Sequence, residues 1–244
     1  MLANVAHDLR TPLTGIRGYA QGLRDGVIAD PVDRDRALTT ITEEAERMGI
    51  LIAGLLDLAR LEAGQVPLAL TDVAAAPALG RLASRFAPEA AARGVRLATA
   101  APPGLHVRAD EGRLVQMLGN LVANALRHTP AGGEISVTAA PVVAPGPAGA
   151  TAAVRFVVRD TGTGIPAARL DRVFDRFSRD EGSGAAGTGD GRAGDEPGGA
   201  GLGLAIAREL VVAHGGTIAI ASEVGTGTAV TVDLPSAHGH DPPG

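Results

Sequence analysis

The sequence predicts an α+β protein: an N-terminal helical hairpin that forms a four-helix bundle as a dimer, followed by an α/β sandwich. Three observations carry this. Apolar residues recur at steps of three and four across residues 1–64, which marks two amphipathic helices. After Pro67 the pattern changes to short alternating runs separated by helical stretches, as in a mixed sheet covered by helices. Hydrophobic residues make up 45% of the 244 but aromatics only 2%, so the core has to be built from Leu, Val, Ile and Ala.

In the first helix, Leu2, Val5, Leu9, Ile16, Ala20, Leu23 and Val27 form one stripe, and the helix is expected to run to about Ile28. At roughly 100° per residue His7 lies about 200° from Val5 and Leu9, so the polar face reads His7, Thr11, Thr14. An exposed imidazole beside a carboxylate (Asp8) is a plausible nucleophile, because neutral imidazole keeps a nitrogen lone pair near pH 7. Pro12 lacks an N–H and crowds the preceding turn, which predicts a kink just past His7. Asp30-Pro31 then reads as an N-cap with proline at the first helical position. Leu38, Ile41, Ala45, Met48, Ile52, Leu55 and Ala59 continue as a heptad seam, widened by Leu51 and Leu58, and Gly64 suits the helix end. One hairpin cannot bury both stripes well and two can, which predicts a homodimer.

Val66–Val73 and Val95–Ala98 read as short strands around an alanine-rich helix over 74–93, and Leu105–Ala109 as a third strand. Asp110 can cap a helix running to about His128. Ile135–Ala139 and Val154–Arg159 alternate like strands, with Pro141–Thr151 between them read as a surface loop. Ser178–Gly199 is low-complexity Gly, Ala and Asp that cannot bury a core of its own. Leu202–His214 is helical, and Thr217–Ser222 and Thr228–Leu234 pair across Val224–Gly227. The expected organisation is therefore 1–65, 66–236 and a disordered tail over 237–244.

Composition excludes several functions. With no cysteine there are no disulfides, thiolate zinc sites or cysteine nucleophiles, and a reducing compartment fits. A net charge of −5 argues against a nucleic-acid binder. No apolar run reaches the ~18 residues of a membrane span, and no signal peptide is visible.

The residues that carry chemistry fall into five boxes. His7-Asp8-Leu-Arg-Thr11-Pro12 is the first. In the second, Asn120 and Asn124 lie one turn apart in mid-helix, although asparagine is a poor helix former, and an amide oxygen is a hard ligand suited to Mg²⁺. Third, Asp160-Thr-Gly162-Thr-Gly164 follows a strand, with glycines that permit a tight turn and an aspartate that only accepts. Fourth is Val173-Phe174-Asp-Arg176-Phe177-Ser-Arg179. Fifth, Gly199-Ala-Gly201-Leu202-Gly203 opens a helix whose N–H groups and dipole can hold phosphate.

In this order the boxes resemble the H-box, N-box, G1, F-box and G2 of the sensor histidine kinases of two-component systems. The resemblance covers Asn4–Gly216. It implies a Bergerat-type ATP-binding sandwich and an enzyme that autophosphorylates His7, then passes the phosphoryl group to an aspartate on a response regulator receiver domain. It makes Asp8 the acid/base beside His7, and Thr11 the residue that positions water for the opposite reaction, dephosphorylation of the regulator. Asn124 becomes the Mg²⁺ ligand and Asn120 its polar neighbour. Asp160 takes the exocyclic amine of adenine, Arg127, Arg176 and Arg179 meet phosphate, and Asp180–Gly198 is a lid over the nucleotide. Arg127 and His128 stand where lysine and tyrosine are frequent. The resemblance also implies a cytoplasmic core, with a sensor, often membrane-anchored, upstream of the short lead before His7. Two alternatives remain: a non-enzymatic pseudokinase scaffold, and another ATPase of the same superfamily. The latter lacks the His7–Pro12 pattern.

Overall fold

The computed structural model describes residues 2–146, 149–175 and 201–237. The chain divides into two compact units, one of residues 1–57 and 176–202, the other of 58–175 and 203–244.

The first unit is built on two helices. Helix α1 spans Leu2–Arg24 and runs through Pro12. It stops four residues before the expected end, because Gly26 takes a left-handed φ of 72° and turns the chain. Val27, counted above into the stripe, is consequently exposed. Helix α2 spans Pro31–Glu62. Its cap is as expected: Asp30 Oδ1 accepts from the N–H of Val32 at 2.8 Å and of Asp33 at 3.4 Å. The heptad seam of α2 divides in two. Ala37 and Leu51 are buried and Ile41, Met48 and Leu55 half-buried, whereas Leu38, Ile52 and Leu56 on the neighbouring stripe are exposed.

The second unit is a layer of helices on a mixed sheet. Its elements are β1 (Thr71–Ala74), α3 (Ala75–Ala92), β2 (Arg96–Ala100), β3 (His106–Ala109), α4 (Glu111–His128), β4 (Glu134–Gly146), β5 (Gly149–Asp160), the short α5 (Ala167–Leu170), α6 (Gly203–Ala213), β6 (Thr217–Glu223) and β7 (Gly227–Pro235). Five strands lie in the order β2-β4-β5-β7-β6, with β2 parallel to β4 and the other pairs antiparallel. The β1–β3 pair forms a second small sheet, joined to the end of β7 by a bridge between Val107 and Ser236. Helices α3, α4 and α6 contact one another in sequence and cover one face.

Period-two alternation decides which side chains meet those helices. On β5 these are Val154, Phe156 and Val158, on β7 Val230, Val232 and Leu234, and on β4 Ile135 and Val137, all buried. Across the outer face Arg155 on β5 holds Asp233 on β7 by two bonds of 2.7 Å, in register, which pushes the guanidinium's pKa up.

Two expectations are corrected. The strand expected over Val66–Val73 begins only at Thr71, where pairing with β3 becomes available. Pro141–Thr151 is not a loop: β4 and β5 continue as a ribbon with Ala140 opposite Arg155 and Gly146 opposite Gly149. Prolines hide such a strand from a sequence reading, because they signal turns far more often than the long hairpins that can also carry them. The expected lid and disordered tail lie outside the described residues, apart from Ala237.

Candidate functional site

Helix α4 organises the site. Leu114, Met117, Leu118, Leu121, Val122, Ala125 and Leu126 are buried, which fixes the rotation of the helix and sets Asn120 and Asn124 half-buried on another face. The Nδ2 of Asn120 is buried and has no hydrogen-bond partner among the described residues. A buried amide N–H left unmade costs about 1–3 kcal/mol, so this donor is a candidate for a bond to a ligand. The Asn124 side chain makes no hydrogen bond among the described residues. The first residue of α6, Gly203, lies beside Asn120: a Cβ built on it would be 3.8 Å from the Asn120 Cβ. The N-box and the end of the G2 box are therefore neighbours. Gly201, with φ 65°, and the buried Leu202 precede α6.

Asp160 is the next helix-facing position on β5 after Val154, Phe156 and Val158, and this alternation buries its carboxylate at 8% exposure. Its Oδ1 accepts from the N–H of Gly162 at 2.8 Å and of Thr228 at 3.2 Å. Its Oδ2 has no partner among the described residues. Burial pushes the carboxyl above its ordinary value. The N–H bonds from Gly162 and Thr228 and the nearby His128 oppose this without cancelling it. The arrangement is a half-satisfied acceptor facing the helix layer, the chemistry that takes an amine.

The glycines of G1 are required by close approach. A Cβ on Gly162 would meet the carbonyl oxygen of His128, and one on Gly164, at φ 69°, would meet that of Glu223. The loop is stitched to α4 by Thr163 N–H donating to His128 O at 3.1 Å, and to the β6–β7 turn by Gly225 N–H donating to Thr163 O at 2.9 Å. His128, exposed at its side chain, takes part through its backbone.

Arg127 is exposed at the end of α4. In the first unit His7 and Asp8 lie on α1, and Thr11 is exposed one turn after His7. Arg176, Arg179 and Gly199 lie outside the described residues, as do the side chains of His7 and Asp8. Sequence reasoning missed three contributors. Thr228 shares the inward parity of Val230, and that alternation could have found it. Ser222 continues the alternation of Ile218 and Ile220 on β6, opposite Thr228, and the same signal could have found it. His214, read only as a helix end, is buried: Nδ1 donates to Leu210 O at 2.7 Å and Nε2 accepts from Asp110 N–H at 3.2 Å, tying α6 to the start of α4.

A family model described as histidine kinase-, DNA gyrase B-, and HSP90-like ATPase matches residues 109–238, and one described as His Kinase A (phospho-acceptor) domain matches residues 1–64. The chain belongs to this family and has the make-up of a sensor histidine kinase catalytic core. It is 35% identical over 238 residues to the sensor protein DivL of Caulobacter vibrioides, covering 96% of this chain and 27% of that protein. It is 30% identical over 234 residues to the sensor protein SrrB of Staphylococcus aureus, covering 96% and 37%. The chain thus spans about a third of the length of these curated relatives. Among solved structures, full-length ShkA in complex with AMPPNP superposes with a TM-score of 0.67 at 30% identity, over 98% of this chain and 46% of that one. The Acinetobacter baumannii histidine kinase AdeS shares the fold at a TM-score of 0.70 and 23% identity, over 95% and 98%. Among the described residues no helix is long and apolar enough to cross a membrane.

Proposed function

We propose that the chain is an ATP-dependent protein-histidine kinase core that phosphorylates His7 and passes the phosphoryl group to an aspartate of a response regulator receiver domain, acting as a homodimer on the cytoplasmic side. The observation that supports it most is the buried, unpartnered Asn120 amide beside the start of α6, next to Asn124 and in the same unit as the half-satisfied Asp160. These donors and acceptors suit a nucleotide: Asp160 Oδ2 for the exocyclic amine of adenine, and the N–H groups opening α6 for phosphate oxygens. Residues 1–65 would be the phospho-acceptor domain and 66–236 the nucleotide domain. Gly162 and Gly164 would let the backbone approach the base. Arg127, Arg176 and Arg179 would meet phosphate, with the Gly199–Gly203 turn around it.

Asn124 would hold Mg²⁺ through its amide oxygen, and the described residues offer no carboxylate–histidine cluster that competes for the metal. Mg²⁺, when bound, neutralises phosphate charge. The His7 nitrogen attacks the γ-phosphorus, the bond to the β–γ bridging oxygen breaks and ADP leaves, while Asp8 takes the imidazole proton. In transfer, the N–P bond breaks as the regulator's carboxylate oxygen bonds the phosphorus. Thr11 would orient water for hydrolysis of the phosphorylated regulator.

The test is incubation with γ-labelled ATP and Mg²⁺, alongside His7→Gln and Asn124→Ala. Label that is acid-labile, alkali-stable and absent from both variants is expected. Label retained in His7→Gln would refute His7 as the acceptor, and an unlabelled wild type would refute kinase activity for this core.

A further inference from the structure

The G1 loop, residues 161–165, is held largely by backbone. Thr161 N–H donates to Glu134 O at 3.1 Å and Thr163 N–H to His128 O at 3.1 Å. Apart from Asp160 itself, one side chain from outside the loop accepts a loop N–H among the described residues: Ser222 Oγ takes that of Ile165 at 2.8 Å. The same oxygen lies 2.9 Å from Gly227 O and 2.8 Å from Thr228 Oγ1.

A hydroxyl has one proton to give and two lone pairs to receive. One distribution satisfies every proton. Ser222 donates to Gly227 O, and its lone pairs take the Ile165 N–H and the Thr228 O–H. The reverse leaves the Thr228 proton without an acceptor, since Ser222 Oγ is the one partner of that hydroxyl among the described residues. Thr228 Oγ1 therefore has only lone pairs left to offer. Thr228 stands opposite Asp160 in the β5–β7 register, on the same face, with its own N–H on Asp160 Oδ1. Asp160 Oδ2 and Thr228 Oγ1 are thus acceptors on paired residues of one sheet face.

We propose that Ser222 is a positioning residue that sets the base preference of the nucleotide site. By holding the Thr228 proton it keeps the surface beside Asp160 acceptor-only, which takes a purine with an exocyclic amine and rejects one with a 6-oxo group. This rests on the nucleotide-site reading above. Without Ser222 the Thr228 hydroxyl is free to turn and donate, and a 6-oxo purine gains a partner.

ATP and inosine triphosphate, which differ at that position, are the probes, and their affinities for the whole chain are measured by calorimetry with Mg²⁺ present. Wild type is expected to prefer ATP. Ser222→Ala should cut the ATP-to-inosine triphosphate ratio by about tenfold, the worth of one buried hydrogen bond, with part of the change being a gain for the inosine nucleotide. Ser222→Thr, which keeps the hydroxyl, should restore the ratio. A ratio unchanged in Ser222→Ala, or equal weakening of both nucleotides, would overturn the inference and leave Ser222 as a loop tether. Should Ser222→Ala fail to fold, Thr228→Val removes one acceptor and leaves the Ser222–Ile165 bond in place. It too must lower the ratio, and an unchanged ratio there overturns the inference. A wild type that binds neither nucleotide is a different result, the failure of the nucleotide-site reading itself.

Discussion

Asp160→Asn separates the two roles that a buried carboxylate can play. The side chain keeps its shape, and an amide oxygen at the Oδ1 position can still accept from Gly162 and Thr228, at 2.8 and 3.2 Å in the native loop. Two things change: the buried charge disappears, and Oδ2 becomes a donor. The carboxyl's pKa is raised in the fold above its ordinary 3.8. The stability it contributes is therefore fully present below that value and is lost as pH rises through the folded value. At neutral pH the empty domain carries a penalty, and Asn removes it, so the melting temperature without nucleotide should rise. Binding should move the other way. A hydrogen bond to a charged acceptor is worth about 1.5–3 kcal/mol, so losing it weakens ATP binding by roughly 10- to 150-fold. The donor now facing the adenine amine adds to the loss. Calorimetric titration with ATP and a thermal melt on the same preparations read both effects. ATP affinity within about threefold of wild type would refute the assignment of the base to Asp160. A melting temperature that falls would show that the carboxylate charge is a structural joint, and that its burial is not costing the fold stability.

The other perturbations act on the scaffold and on assembly. Burial pushes Asp110 up, but N–H bonds from Arg113, Ala69 and Gly112, with His214 alongside, outweigh it and hold the carboxyl below 3.8. Its stabilisation is then present above that value and lost as pH falls through the folded one. Asp110→Ala should cost about 1–2 kcal/mol in chemical denaturation at neutral pH and flatten the acid limb of stability. His214→Ala removes the acceptor of the Asp110 N–H and empties a buried site, which should cost about 2–4 kcal/mol, roughly 5–15 °C in melting temperature. Gly164→Ala forces a Cβ into the Glu223 carbonyl at a left-handed φ, and should abolish ATP binding while the far end of the sheet stays protected from hydrogen exchange. Ile52→Glu, at a position 45% exposed in the single chain, should shift sedimentation from dimer to monomer, because burying two unpaired carboxylates opposes association.

The fold was legible wherever a period was strong. Helix α4 starts behind its Asp110 cap and ends at His128 as expected, and the Asp30 cap fell where Asp-Pro placed it. The strand runs read over Val154–Arg159 and Thr228–Leu234 are strands, and their alternation buries Val154, Phe156, Val158, Val230 and Val232. Misses came where one residue type serves two structures. Proline in Pro141–Gly146 read as loop because a lone strand cannot spare donors, whereas a projecting ribbon can. Gly26 ended α1 before the apolar stripe did, since periodicity records which face a residue would occupy and not whether the helix reaches it.

The seam of α2 shows the same limit in another form. Read along the chain, Leu38, Ile41, Ala45, Met48, Ile52 and Leu55 make one heptad run. In the structure Ile41, Met48 and Leu55 are covered within a single chain while Leu38 and Ile52 are not. The two stripes lie three residues apart, about 60° around the helix, too little for a sequence of mixed Leu, Ile and Ala to separate. A four-helix arrangement of two hairpins, as proposed, would use both, one stripe for each neighbour. The nucleotide site has the same logic in polar groups. That Asp160 accepts could be read from its type. That Thr228 also accepts, as proposed, could not, because its partner Ser222 is six residues away in sequence and 2.8 Å away in space.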